Sequence, residues 1–227
     1  MTDQIMEFDP IWEDIYADGR HLNKYPFNNV PNYFFRYRPR TQEKVNVLEV
    51  GLGAGNNLWM CAREGADVAG VDAAPSGVKF ANERFSQEGL SGDLRVGDFC
   101  ELPFEDNSFD MAINRQALTQ VSHSRSKEAV REILRCLKPG GTFWSNMFSD
   151  KTHFAGRSLG DGVWADISEG KLQDVGQTAF HSEDDLRAMY SSDWTFEELT
   201  LLEMNEYTAP GVSVPYCEWM CVTRKKR

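Results

Sequence analysis

The sequence predicts an α/β fold: a doubly wound, mostly parallel, seven-stranded sheet with helices on both faces and an antiparallel last strand. Three observations carry that expectation. Short apolar runs alternate with helix-period segments from Val45 onward. The first run, "VLEVGLGAGNN" (47–57), meets three glycines spaced two apart. The last two strand-like runs are separated by a Pro/Gly-containing stretch with no room for a crossover helix.

The elements follow in order. Asp9-Pro10 opens a short helix, with Asp9 as cap and Pro10 at the first helical position; Trp12, Ile15 and Tyr16 share a face and Gly19 ends it. Residues 20–44 read as irregular, aromatic and locally basic, so residues 1–44 form an extension ahead of the main domain, 45–227. Residues 45–50 read as a buried strand. A helix then runs to about Glu64 with Gly65 as its stop. "ADVAGV" (66–71) is the second strand, and Pro75 starts the second helix of the domain. Strands follow near 93–97 and at 109–114. A helix from about Ser126 carries Val130, Ile133, Leu134 and Leu137 on one stripe; "KPGG" breaks it before the strand "TFWSNMF" (142–148). A Gly-rich segment reaches about Phe180. Ser182 to Asp185 is a capping-box start for a short helix, in which acids suit the helix N-terminus. Strands near 194–203 and 216–223 close the chain.

Composition narrows the function classes. The 227 residues carry a formal net charge of −11, which argues against nucleic acid as the main partner. The basic "RKKR" at 224–227 is too short to reverse that reading. No run approaches the ~18 apolar residues of a membrane span, and "MTDQIMEFDP" lacks the pattern of a secretory signal. Five scattered cysteines without C-x-x-C spacing read as reduced thiols of a cytoplasmic protein. Dispersed histidines and the lack of an H-E-x-x-H pattern point to no metal.

In a doubly wound sheet, ligands sit at the carboxyl ends of the strands where strand order reverses. The glycine turn is the carboxyl end of the first strand. A dinucleotide fingerprint wants glycine at 51, 53 and 56; here the third falls at 55. Glu49 with Gly51, Gly53 and Gly55 gives E-x-G-x-G-x-G, which resembles the first motif of class I, Rossmann-like S-adenosylmethionine-dependent methyltransferases. Other segments are similar to that family in the same order: Val71-Asp72 at the end of the second strand, "VGDFCELPFEDNSFDMAI" (96–113), and "LKPGG" (137–141). The resemblance runs from about Val45 through Phe148 and more loosely to the end. Residues 11–26 also resemble the front end of bacterial, small-molecule members.

The resemblance implies S-adenosyl-L-methionine as cofactor, S-adenosyl-L-homocysteine as product, and in-line transfer of a methyl group to a small-molecule acceptor. It implies that Gly51, Gly53 and Gly55 pass under the methionine part and that Glu49 orients its amino group. Asp72, with Ala73 beside it, would hold the ribose; Asp98 would hold the adenine, with Phe99 near the ring. Asn114 and Arg115, at the end of the fourth strand, contact the methionine moiety or the acceptor; the alternative for Arg115 is a loop packed under the extension. His123 is a candidate general base, or a solvated loop histidine. His153, Arg157 and Trp164 are candidates for the acceptor pocket, and Tyr25, Tyr33, Phe34 and Phe35 for a lid. Two rival readings stand beside this one: an NAD(P)-dependent oxidoreductase, disfavoured by the glycine spacing and by the lack of a Tyr-x-x-x-Lys pair, and a non-catalytic S-adenosylmethionine-binding or scaffold protein.

Overall fold

The computed structural model describes residues 4–40, 44–209 and 212–227. Helix α1 (Ile11–Ala17) opens after Asp9-Pro10; the Asp9 carboxylate accepts the Ile11 N–H at 3.1 Å, and Pro10 takes the cap rather than the first helical position. Residues 20–44 are not wholly irregular: they hold helix α2 (Asn29–Tyr37). Pro31 falls in its first turn, where its missing N–H has no partner to lose. Val30, Tyr33 and Phe34 are buried at helical spacing. These aromatics therefore belong to the core, and the Tyr33 hydroxyl donates to the Thr142 carbonyl at 2.9 Å.

The main domain then alternates through β1 (Asn46–Val50), α3 (Asn56–Arg63), β2 (Asp67–Asp72), α4 (Pro75–Gln87), β3 (Asp93–Val96) and β4 (Phe109–Arg115). A 3₁₀ turn (Ala117–Gln120) precedes α5 (His123–Cys136), which starts three residues before the expected Ser126 because the Ser122 side chain caps it by accepting the Arg125 N–H. Strand β5 (Leu137–Phe148) follows. The Gly-rich segment holds a small sheet of β6 (Arg157–Gly160), β7 (Val163–Ala165) and β8 (Thr178–Ala179). Ser182 and Asp185 close the expected capping box on α6 (Glu183–Met189). A long hairpin, β9 (Trp194–Ala209) and β10 (Val212–Lys225), ends the chain.

Among the described residues the main sheet has seven strands in the order β3-β2-β1-β4-β5-β10-β9. Strand β10 runs antiparallel to both β5 and β9, and the other main-sheet pairs are parallel. Alternating residues serve opposite faces. Leu48 and Val50 pack with Ala129, Val130 and Ile133 of α5 and Leu186 of α6. Val47 packs with Phe34 of α2, Leu58 of α3 and Val78 of α4. Strand order reverses between β1 and β4, so their carboxyl ends part and leave a crevice.

The N-terminal segment crosses that crevice. At one side Glu13 accepts the backbone N–H and hydroxyl of Ser76, at the start of α4, at 2.9 and 2.6 Å. At the other, Asp9 accepts the Gln177 N–H at 2.8 Å, and the Gln177 amide pairs with both backbone groups of Met6. Among the described residues no helix is long and apolar enough to cross a membrane.

Candidate active site

Beneath this strap lies a cavity of ≈ 610 Å³, the volume of a small-molecule or cofactor site. Its floor is the glycine turn. Gly51, Gly53 and Gly55 have φ of +69°, +51° and +71°, conformations that a Cβ would strain. They also make room for protein: a Cβ on Gly53 would overlap the Tyr16 hydroxyl, and one on Gly51 would overlap Ala117. The spacing thus serves close packing of α1 and of the 3₁₀ turn as well as approach by a ligand.

Glu49 is 1 % exposed. Its Oε1 accepts the Asn57 amide at 2.6 Å, while its Oε2 is buried without a partner among the described residues. Burial pushes its pKa up to about 8, against the Asn57 bond, with the nearby Asp72 charge adding to the rise. Asp72, at the end of β2, accepts the N–H groups of Gly53 and Ala74, each at 2.8 Å. Burial raises its pKa too, with those two bonds opposing. Its carboxylate ties the glycine turn to the start of α4; the cap of α4 is Ala74, as the position of Pro75 requires. Ala73 lines the cavity beside it.

At the end of β3, Asp98 accepts the Cys100 N–H at 2.8 Å and the Arg125 guanidinium at 2.5 Å. Phe99 lines the same side. Arg125 projects from the first turn of α5, and nothing in its sequence surroundings marks it. Glu49, Gly51, Gly53, Asp72, Ala73, Asp98, Phe99 and Arg115 all border the cavity; Gly55 lies just behind, as the cap of α3.

Five expected contributors lie elsewhere. Asn114 is fully buried beneath the cavity: its amide donates to Ser145 Oγ at 2.8 Å, and its oxygen accepts the Leu118 N–H at 3.1 Å, which fixes the 3₁₀ turn. The alternation of β4 aims it into the sheet interior while Arg115 points to the crevice. His123 is the first residue of α5 and turns away, with Nε2 at 2.9 Å from the Phe180 carbonyl and its ring 4.3 Å from that of His181. The cavity wall does not include it. His153, Arg157 and Trp164 also miss the cavity: His153 pairs with Glu169, Arg157 with Asp166, and Trp164 packs on Phe154. The same insert instead supplies Lys171, Leu172 and Val175.

The outer half of the cavity is mostly apolar, with Phe8, Trp12, Phe148, Leu172, Val175 and Tyr216. One polar cluster interrupts it. Buried Glu218 on β10 accepts from Gln116 at 2.5 Å, from the Tyr216 hydroxyl at 2.7 Å and from Asn146 at 3.1 Å. The Arg115 guanidinium stacks 4.0 Å from the Phe27 ring centroid. Of the aromatics expected to cover the crevice, Tyr33 and Phe34 are in the core, while Tyr25 and Phe35 are exposed. Trp12, Tyr16 and Phe27 do the covering. Trp12 and Tyr16 were legible as one face of a helix; which surface that face meets was not.

An α/β sheet with its strand order reversed at a glycine turn, and acids at the ends of three successive strands around one cavity, defines a Rossmann-like nucleotide-type site. Residues 48–145 match the family model described as "Methyltransferase domain". That segment, from β1 into β5, is therefore similar to methyltransferase domains. The chain is 35 % identical over 103 residues to a sterol 4-C-methyltransferase of Caenorhabditis elegans, covering 44 % of this chain and 30 % of that protein. It is 31 % identical over 171 residues to a sterol 24-C-methyltransferase of Aspergillus fumigatus, covering 67 % of this chain and 45 % of that protein. The chain thus spans less than half the length of these curated relatives. The fold also matches that of a Burkholderia thailandensis 1,6-didemethyltoxoflavin-N1-methyltransferase, solved with S-adenosylhomocysteine bound. That match has a TM-score of 0.65 at 17 % identity, over 94 % of this chain and 85 % of the other.

Proposed function

We propose that this protein is an S-adenosylmethionine-dependent methyltransferase of a small, largely apolar acceptor. The observation that carries this reading is Glu49. A buried carboxyl group with an orphaned oxygen beside the glycine turn suits an ammonium group, which favours its charged form, and suits poorly the pyrophosphate of a nicotinamide dinucleotide, which opposes that ionisation. The residues present fit the cofactor: Glu49 would hold its amino group, Asp72 its ribose and Asp98 its adenine, with Phe99 beside the ring. The cofactor, when bound, supplies an activated methyl group. The protein's own contribution is alignment and exclusion of water, for which Trp12, Tyr16 and Phe27 close the cavity. The apolar outer half and the sterol methyltransferases among the relatives support a small apolar acceptor. Five free cysteines, four of them buried, support a reducing, cytoplasmic setting.

Thermal unfolding tests the cofactor assignment. At a hundredfold excess over the dissociation constant, S-adenosylmethionine or S-adenosylhomocysteine should add about 2.7 kcal/mol, a midpoint rise of roughly 5–10 °C for this size. NADH should add nothing. Asp72→Ala should abolish the rise, and should lower the baseline because the Gly53 and Ala74 amides lose their acceptor. A rise with NADH alone would move the protein to the oxidoreductases.

The N-terminal strap is, on this reading, a lid. Removing residues 1–19 should weaken S-adenosylhomocysteine binding about tenfold or more, since two aromatic walls go with it, while circular dichroism shows the sheet retained. The cut must stop before α2, because Val30, Tyr33 and Phe34 are core. Unchanged affinity would show that the strap is packing only.

A further inference from the structure

Arg115 stands apart among the cations around the cavity. Arg125 is paired with Asp98, and Lys171 with Glu206 at 2.6 Å. The Arg115 guanidinium makes no hydrogen bond or ion pair among the described residues, although its backbone pairs with Asn146 in the sheet. A guanidinium has five N–H donors in a planar fork and is costly to leave unmatched where water is scarce. Here its carbon lies 4.0 Å over the Phe27 ring centroid, and its N–H groups have no partner among the described residues. Burial lowers its pKa, and the groups whose charges act on it are Glu218 and Tyr216, both on β10. Those groups belong to the outer half of the cavity, not to the Glu49–Asp72 end. Glu218 is already occupied by Gln116, Tyr216 and Asn146.

We propose that Arg115 selects the acceptor: its guanidinium N–H groups bind an anionic group, a carboxylate in the simplest case, carried on an apolar body that lies against Trp12, Phe148 and Leu172. The proposal rests on the methyltransferase reading and deepens it by naming the acceptor class. The Phe27 ring packed against it restricts the guanidinium, so a planar carboxylate can meet two of its N–H groups at reduced entropic cost. The apolar wall supplies affinity and the cation supplies orientation, which puts the reacting atom at a set distance from the anion.

The test is calorimetric titration of the full chain, saturated with S-adenosylhomocysteine, with cinnamate, octanoate and naphthoate, each beside its neutral amide. The wild-type protein should prefer at least one acid over its amide by about tenfold or more. Arg115→Gln should erase that preference, leave amide binding within about twofold and leave S-adenosylhomocysteine affinity unchanged. Arg115→Lys should restore only part of it, because it keeps the charge and loses the planar fork. Three results overturn the proposal: no acid outbinding its amide, a preference that survives Arg115→Gln, or an Arg115→Gln protein whose main loss is S-adenosylhomocysteine affinity, which would assign the cation to the cofactor. Failure of the wild-type protein to bind S-adenosylhomocysteine at all strikes the methyltransferase reading itself, and is seen before any acid is added.

Discussion

Binding of S-adenosylhomocysteine at pH 7 should release close to one proton per site, and Glu49→Gln should abolish that release. With a pKa of about 8 in the free protein, Glu49 is mostly protonated at pH 7. An ammonium placed against its orphaned Oε2 favours the charged form and expels the proton. Affinity should therefore rise about tenfold per pH unit up to about pH 8, and level off above it. Because Asp72 lies close and its pKa is also raised, the proton belongs to the pair in a strict sense, and the stoichiometry is the quantity to measure. Calorimetry in two buffers of different ionisation enthalpy reads it directly. The same group makes a stability statement. Its folded pKa lies above its unfolded value, so as pH rises from about 4.5 to about 8 the unfolded chain ionises first and folding weakens. Each unit costs about 1.4 kcal/mol. Glu49→Gln should consequently stabilise the ligand-free protein at pH 7 by roughly 3 kcal/mol. A variant no more stable than wild type, with proton release unchanged, would show that Glu49 is ionised throughout.

Acid should destabilise this protein through His181 before its surface carboxylates matter. The ring is fully buried, both nitrogens lack partners among the described residues, and it lies 4.3 Å from the His123 ring with Asp185 beyond. Burial first, and the His123 charge second, lower its pKa to about 3. Its folded value thus lies below its unfolded value of 6.5, so between pH 6.5 and about 3 the unfolded state binds the extra proton. Stability falls by about 1.4 kcal/mol per pH unit on descending through that window. Urea unfolding at pH 6.5 and 4.5 should show wild type losing roughly 2 kcal/mol more than His181→Leu. The substitution sacrifices no side-chain hydrogen bond of ordinary geometry, only a weak contact with the Phe148 backbone. Equal losses in the two proteins would mean that the ring charges freely. The loss should appear first around α5, β8 and α6, the elements whose ends meet at this histidine pair.

The sheet was legible because its signals are local. Apolar runs of strand length, Pro75 at a helix start, glycines at helix ends and the Ser182 capping box each state a backbone preference within a few residues, and consistent local preferences define a layered α/β fold. The cavity floor was legible for the same reason, since Glu49, the three glycines, Asp72 and Asp98 sit at strand ends. Helix α2 was not, because Pro31 and the neighbouring asparagines mask an apolar spacing that only docking on the sheet completes.

What the sequence by itself determined is the order of elements, the crevice at the end of β1 and the acids around it. Tertiary structure alone decided what closes and partners that crevice. It brought Tyr16 onto Gly53 from 37 residues away in the chain. It joined Gln116 to Glu218 from the far end and left Arg115 unpaired against Phe27. It sank Asn114 and turned His123 toward His181. Strand ends are set by short-range backbone preferences, whereas a cavity wall is set by which distant side chains lose least by meeting. That balance of burial, charge and hydrogen bonding has no local trace in the sequence.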